Sequence, residues 1–224
     1  MKYLSQPVLF ALIMLSAGCG GGGGGDGGGG GGAPLVAIYN ASFETLGANP
    51  DGNQPDGWIR EGVNDWSLSG LGVKRVTGSG FMPTDGQYFL NFPSSDAGTP
   101  LFPGNYPYLK IYQDNVNLSG ATSLVFDYEV TNRNICTGSV PYGYDGSAVV
   151  RIFFQPNSGG GTVDLWLANY GPGTAGAQVT GMTVPLSSLS DGRLTIEVST
   201  NPCLQGSLVV KSTLTFRIDR IRVQ

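Results

Sequence analysis

Ser123-Leu-Val-Phe-Asp-Tyr-Glu-Val-Thr131 alternates apolar with mostly polar residues. Leu124, Phe126, Tyr128 and Val130 fall on one parity, and Val125, Asp127 and Glu129 on the other. A period of two is that of a strand with one face in a core. The same pattern recurs nearby. Ala148–Gln155 sets Val150, Ile152 and Phe154 against Val149, Arg151 and Phe153. Thr162–Ala168 sets Val163, Leu165 and Leu167 against Asp164 and Trp166, and Arg193–Thr200 sets Leu194, Ile196 and Val198 against Arg193, Thr195 and Glu197. The first set in each strand reads as core and the second as an outward face.

Further strands are predicted over Leu35–Tyr39, Trp66–Leu68, Val73–Val76, Gln87–Phe92, Tyr108–Leu118, Gln178–Val184 and Ser207–Val223, with a single helical turn at Pro185–Leu189. In the last strand Leu214, Phe216 and Ile218 share a face, after which Ile221 and Val223 take the other parity. A bulge near Asp219 accounts for that slip. Gly, Pro, Asn and Asp punctuate the runs. No amphipathic helix and no internal repeat is visible. This is the pattern of an all-β, antiparallel sandwich or barrel.

Upstream, Lys2 precedes an apolar run over Val8–Ala17, broken only by Ser16. Ten helical residues cover about 15 Å, half of a bilayer core of about 30 Å, so the run fits the core of a secretory signal. Leu15-Ser-Ala-Gly-Cys19 resembles the lipobox of bacterial lipoproteins. The resemblance implies cleavage before Cys19 and lipid on its thiol, and two or more acyl chains hold a protein stably on a membrane. Ser16 is less usual than leucine at its place, and an ordinary signal peptide beside a free cysteine is the alternative. Gly20 rather than Asp after the cysteine implies, by the same resemblance, the outer membrane of a Gram-negative cell, facing periplasm or cell surface. Gly20–Gly32 holds twelve glycines and Asp26. It reads as a flexible tether with a root-mean-square span of about 18–22 Å. The expected organisation is a signal peptide over 1–18, a lipidated cysteine and tether over 19–33, and one β-domain over 34–224.

The chain carries 12 Lys and Arg against 16 Asp and Glu, a net charge of −4. No basic stripe marks a nucleic-acid surface. There is no histidine, which excludes Ser-His-Asp and Cys-His catalysis and histidine-ligated zinc. With Cys19 acylated, Cys136 and Cys203 remain. In an oxidising compartment they are expected to pair, the alternative being two buried free thiols.

Several pieces, in order, carry a second resemblance. They are Asn40-Ala-Ser-Phe43-Glu44, Pro55-Asp-Gly57-Trp58, Thr84-Asp-Gly86-Gln-Tyr88, Ile111-Tyr-Gln113, Val116-Asn-Leu118, Leu124-Val-Phe126 and Phe216-Arg-Ile218-Asp219. Together they are similar to the galactose-binding-like jelly rolls, a group that contains many carbohydrate-binding modules. The resemblance implies a jelly-roll sandwich. It also implies a structural calcium between the first and last strands, with Glu44 and Asp219 as ligands. Hard oxygen donors suit that ion. The alternative is a turn-capping Glu44 and an Asp219 paired with arginine. Trp58 is expected to pack inside.

The outward residues Asp127, Glu129, Arg151, Phe153, Asp164 and Trp166 mix charge with large aromatics. A flat ring stacks on the apolar face of a pyranose while charged groups bond its hydroxyls, so these six are the candidate glycan site. A solvated sheet with cross-strand ion pairs is the bland alternative. Tyr106, Tyr108, Tyr142 and Tyr144 form a second candidate patch. Asp127 and Glu129 meet only loosely the two-carboxylate spacing of glycoside hydrolysis, and the chain has only four glutamates. The expected function is therefore non-catalytic glycan binding at the envelope. The rival is a structural or adhesion domain that meets an envelope protein.

Overall fold

A computed structural model describes residues 38–47, 54–63, 74–77, 83–92, 108–132, 146–171, 174–201, 203–205, 208–210 and 214–224. Cys19, Cys136, Tyr106, Tyr142, Tyr144, the leader, the tether and the strand expected at Trp66–Leu68 lie outside the described residues. So does any test of the Cys136–Cys203 pairing.

The strands are β1 (Ile59–Val63), β2 (Lys74–Val76), β3 (Phe89–Phe92), β4 (Tyr108–Asn117), β5 (Ser123–Asn132), β6 (Ala148–Pro156), β7 (Val163–Tyr170), β8 (Ala177–Pro185), β9 (Asp191–Thr200), β10 (Cys203–Gln205), β11 (Leu208–Val210) and β12 (Leu214–Val223). One antiparallel sheet runs β1-β4-β9-β6-β7, and a second runs β2-β3-β12-β5-β8. β10 and β11 form a separate hairpin. The two large sheets pack face to face as an all-β sandwich of jelly-roll type.

The alternating residues fill the space between them. Leu124, Phe126 and Val130 of β5, Val150, Ile152 and Phe154 of β6, Leu194, Ile196 and Val198 of β9, and Leu214, Phe216 and Ile218 of β12 are all buried in one cluster. The phase slip in β12 is a bulge. Its pairing with β5 shifts between Asp219 and Arg222, Arg220 takes φ 54°, and Ile221 returns to the core.

Several expectations differ from the structure. Of the strand read over Leu35–Tyr39 only Ile38 and Tyr39 are among the described residues, and there Ile38 leads into a turn over 39–42. The side-chain amide of buried Gln113 replaces a strand neighbour there, accepting from Tyr39 N and donating to Tyr39 O, each at 2.9 Å. Pro185–Leu189 forms no helical turn, because Pro185 ends β8 and Leu186 N bonds across to Thr122 O at 2.9 Å. In β7 the parity reverses midway. The β6–β7 register shifts between Ile152 and Phe153, so Trp166 lies opposite core Ile152, and Leu167 lies opposite Arg151 on the outer face. Leu167, expected inside, is 50% exposed. Leu165 and Trp166 both pack on the core. Strand β1, absent from the sequence reading, pairs with β4 at the sheet edge.

The motif pieces meet as well. Phe43 and Trp58 pack with their rings tilted by 57° and centroids 5.5 Å apart, and both are buried.

Candidate functional site

Strand order decides which outward residues share a surface. Asp127 and Glu129 belong to the β12-β5 sheet, and Arg151, Phe153 and Asp164 to the β9-β6-β7 sheet. Trp166 belongs to neither outer face. Its ring centroid lies 5.0 Å from that of Tyr128, 5.3 Å from Phe126 and 6.2 Å from Phe216. It bridges the two sheets from within, and this corrects its expected outward position. The bulge in β7 is the cause.

Asp127 is also out of reach. It is wholly buried and accepts from Gly181 N. Its Oδ2 makes no hydrogen bond among the described residues, and the Arg220 guanidinium stands 3.8 Å away. Glu129 is ion-paired with Arg217, which also reaches Asn91 Oδ1. These contacts hold β5, β12 and β3 together. Asp127 and Glu129 are thus both engaged and do not form a free carboxylate pair.

The other outer face is different. Register places Glu61, Lys110, Glu197 and Arg151 in one row across β1, β4, β9 and β6. A second row holds Ile59, Tyr112, Thr195, Phe153 and Asp164 across all five strands. Tyr108, from the second candidate patch, stands beside Lys110 on β4. Lys110 Nζ binds Glu61 Oε1 at 2.8 Å and lies 5.3 Å from the Tyr108 centroid. Arg151 pairs with Asp164, and its Cζ sits 4.3 Å from the centroid of Phe153. Arg193 binds Asp114 through Nε at 2.6 Å and sits 4.0 Å from the centroid of Tyr112. Each cation is thus held by a carboxylate and braces a ring. Burial pushes the Glu197 carboxyl up, against the attraction of Lys110 and Arg151. The hydrogen bond to Asp114 raises the Arg193 guanidinium.

At one end of this face a polar depression of ≈ 370 Å³ opens between Asp114, Gln155, Pro156, Asn157, Gly159 and Arg193. Gly192, next to Arg193, is held close between β6 and the core. A Cβ there would lie 2.3 Å from Gln155 O and 2.7 Å from the Phe154 ring.

Glu44 and Asp219 do converge, but on a loop. Glu44 Oε1 accepts from Gln87 N and Tyr88 N, each at 2.8 Å. Asp219 Oδ2 accepts from Thr84 N at 2.7 Å, Asp85 N at 3.1 Å and Thr84 Oγ1 at 3.2 Å, while its Oδ1 accepts from Arg220 N at 2.7 Å. Burial raises the Asp219 carboxyl, and these bonds oppose the rise. N–H groups present positive ends, which disfavour a cation at the same oxygens. Among the described residues no three His, Cys, Asp or Glu side chains gather as a metal site. At Glu44 Oε1 and at both Asp219 oxygens these N–H donors compete with the calcium that the sequence resemblance implies. They splice the Thr84–Tyr88 loop to the first turn and the last strand.

The sequence missed Glu61, Lys110, Tyr112, Glu197 and Arg193 as members of one surface. Alternation marked Arg193 and Glu197 as outward, but only the pairing of β1, β4, β9 and β6 gathers them.

No family model matches the chain, and no curated protein matches it. Solved structures with a similar outline include a carbohydrate-binding module of family 28, described as specific for non-crystalline cellulose. It is 12% identical over 84% of this chain and 93% of its own, with a TM-score of 0.44. The K1 cleaved adhesin domain of Lys-gingipain from Porphyromonas gingivalis W83 is 12% identical over 84% of this chain and 96% of its own, at 0.46. The family 11 carbohydrate-binding module of the cellulase Lic26A-Cel5E of Clostridium thermocellum is 11% identical over 85% and 95%, at 0.38. Carbohydrate-binding β-sandwiches thus stand among its structural neighbours, and a likeness of this degree assigns neither family nor ligand.

Proposed function

We propose that this chain is a non-catalytic carbohydrate-binding protein, tethered to the cell envelope through Cys19, with the outer face of the β1-β4-β9-β6-β7 sheet as its binding surface. One observation carries the reading. Tyr112 and Phe153 occupy the same register row on either side of Thr195, two strands apart. At a strand spacing of about 4.7–4.9 Å, that separation is close to one disaccharide repeat of an extended β-linked glycan. Such a chain would cross the strands and stack every second sugar on a ring, with charged neighbours bonding its hydroxyls. The depression lies beside that line, two residues further along β9 at Arg193, and adds polar groups there.

Affinity electrophoresis of the full chain in gels of soluble glucan, xylan and mannan tests this. Retardation by at least one polysaccharide is expected, with loss in Tyr112→Ala and Phe153→Ala. Unretarded migration in every gel overturns it, and capture of one envelope protein by crosslinking would then favour an adhesion role. The tether is tested separately. Radiolabelled palmitate is expected to enter the wild-type protein and not Cys19→Ala, and label retained in the variant removes the anchor.

A further inference from the structure

Glu197 stands at the middle of the candidate face. It lies on β9, the central strand of five, between Lys110 on β4 and Arg151 on β6. Both neighbours spend their charge outward. Lys110 turns to Glu61 on β1, and Arg151 turns to Asp164 on β7 and to Thr162 Oγ1 at 3.2 Å. The Glu197 carboxylate accepts no hydrogen bond among the described residues. A half-buried carboxylate without such a bond is costly, since water solvates it only in part. In a purely structural ion ladder, one of the flanking cations would close on it. Here the ladder is closed at both ends and open at the centre.

We propose that Glu197 is the central ligand-contacting residue of this face, accepting hydrogen bonds from adjacent hydroxyls of one sugar of a neutral glycan. The inference rests on the carbohydrate-binding reading above and adds to it a contact residue and a charge class. Two carboxylate oxygens match two neighbouring hydroxyl donors, and charge-assisted bonds of this kind are the stronger ones. Glu197 accepts, while rings on the next strands, Tyr112 and Phe153, supply stacking. The charge class follows from the cations. Lys110, Arg151 and Arg193 are each already joined to a carboxylate, Glu61, Asp164 and Asp114 respectively. A uronate or sulfate would have to displace one of these partners and would meet the charge of Glu197. A neutral polyol asks for neither.

The proposal carries a pH signature. The charged groups facing Glu197 are Lys110, Arg151, Glu61 and Asp164 on the neighbouring strands, with Arg193 further along its own. Burial raises the Glu197 carboxyl despite the two flanking cations. Protonation would convert an acceptor pair into a donor and a weaker acceptor. Affinity should therefore fall as the solution is acidified, starting above the ordinary carboxylate range.

The experiment is calorimetric titration of the full chain with cellohexaose, xylohexaose and mannohexaose, from about pH 8 to about pH 5. Trigalacturonate serves as the charged probe. Glu197→Gln keeps shape and one acceptor. It is expected to lower affinity for the neutral hexaose that binds by about tenfold, the difference between charge-assisted and neutral hydrogen bonds, and to flatten the pH profile. Circular dichroism confirms that the variant is folded. Glu197→Asp, which keeps the charge on a shorter stem, should retain the pH dependence. If Glu197→Gln binds as tightly as wild type while Tyr112→Ala and Phe153→Ala do not bind, the role of Glu197 is overturned and the carbohydrate reading stands. Tighter binding of trigalacturonate than of any neutral hexaose overturns the charge class. If wild type binds none of the four probes, the carbohydrate reading fails and this inference fails with it.

Discussion

Trp166→Ala separates the two faces of β7. The ring bridges the sheets, within 5.0–6.2 Å of Tyr128, Phe126 and Phe216 by centroid distance. Truncating a buried Trp or Phe to Ala costs about 3–5 kcal/mol. Trp166 is only partly buried and sits on an edge strand where neighbours can relax, so the low end applies, about 3 kcal/mol. The domain lies within Pro34–Gln224. For a domain of that size each kcal/mol moves Tm by about 2–4 °C, giving a fall of about 6–12 °C. Urea denaturation followed by circular dichroism measures the loss. Tyr112→Ala is the control, since its partly exposed ring on the outer face should cost about 1 kcal/mol or less. A Trp166→Ala protein within about 0.5 kcal/mol of wild type would refute the inward placement and the β7 bulge with it.

Gly192→Ala is expected to cost about 2–3 kcal/mol in the same assay, because the new Cβ meets Gln155 O at 2.3 Å and neither backbone can yield without moving the β6–β9 pairing. A neutral result would mean that the strands have room to separate. EDTA should leave Tm unchanged, since Glu44 and Asp219 are engaged by N–H donors; a fall that calcium reverses would restore the metal reading. Glu197 also sets a stability slope. Its folded carboxyl is raised by burial, so its contribution is fully present below the ordinary carboxylate value and is lost as pH rises through the folded one. Wild type should lose stability relative to Glu197→Gln across that interval, and parallel curves would contradict the shift. Non-reducing peptide mapping of the exported protein should recover Cys136 joined to Cys203. Removing such a bridge costs about 4 kcal/mol by loop entropy, and alkylation of both thiols in the native protein would exclude it.

What was legible in the sequence depended on how each strand signals its faces. β5, β9 and β12 keep strict alternation against a buried layer, so their inward residues were correct, and in β12 the slip after Ile218 exposed its own bulge. β7 contains a bulge too, but Leu165-Trp-Leu167 offers an apolar residue on either parity, and the slip is silent. The strict reading then turned Trp166 outward and Leu167 inward. β1 shows the opposite failure. Ile59-Arg-Glu-Gly-Val63 has little alternation of its own, and it is a strand because β4 pairs with it. The site was legible only as a set of outward residues, which divided between two sheets once strand order was known. Glu61, Lys110, Arg151 and Glu197 come from four distant segments and form a row through register alone. That register is pinned by the core. Sliding β9 by one residue would turn Leu194, Ile196 and Val198 outward and point Thr195 and Glu197 into the core in their place. The hydrophobic layer thus fixes the charged row on its far side, and the outer face needs no contacts of its own to be held in line.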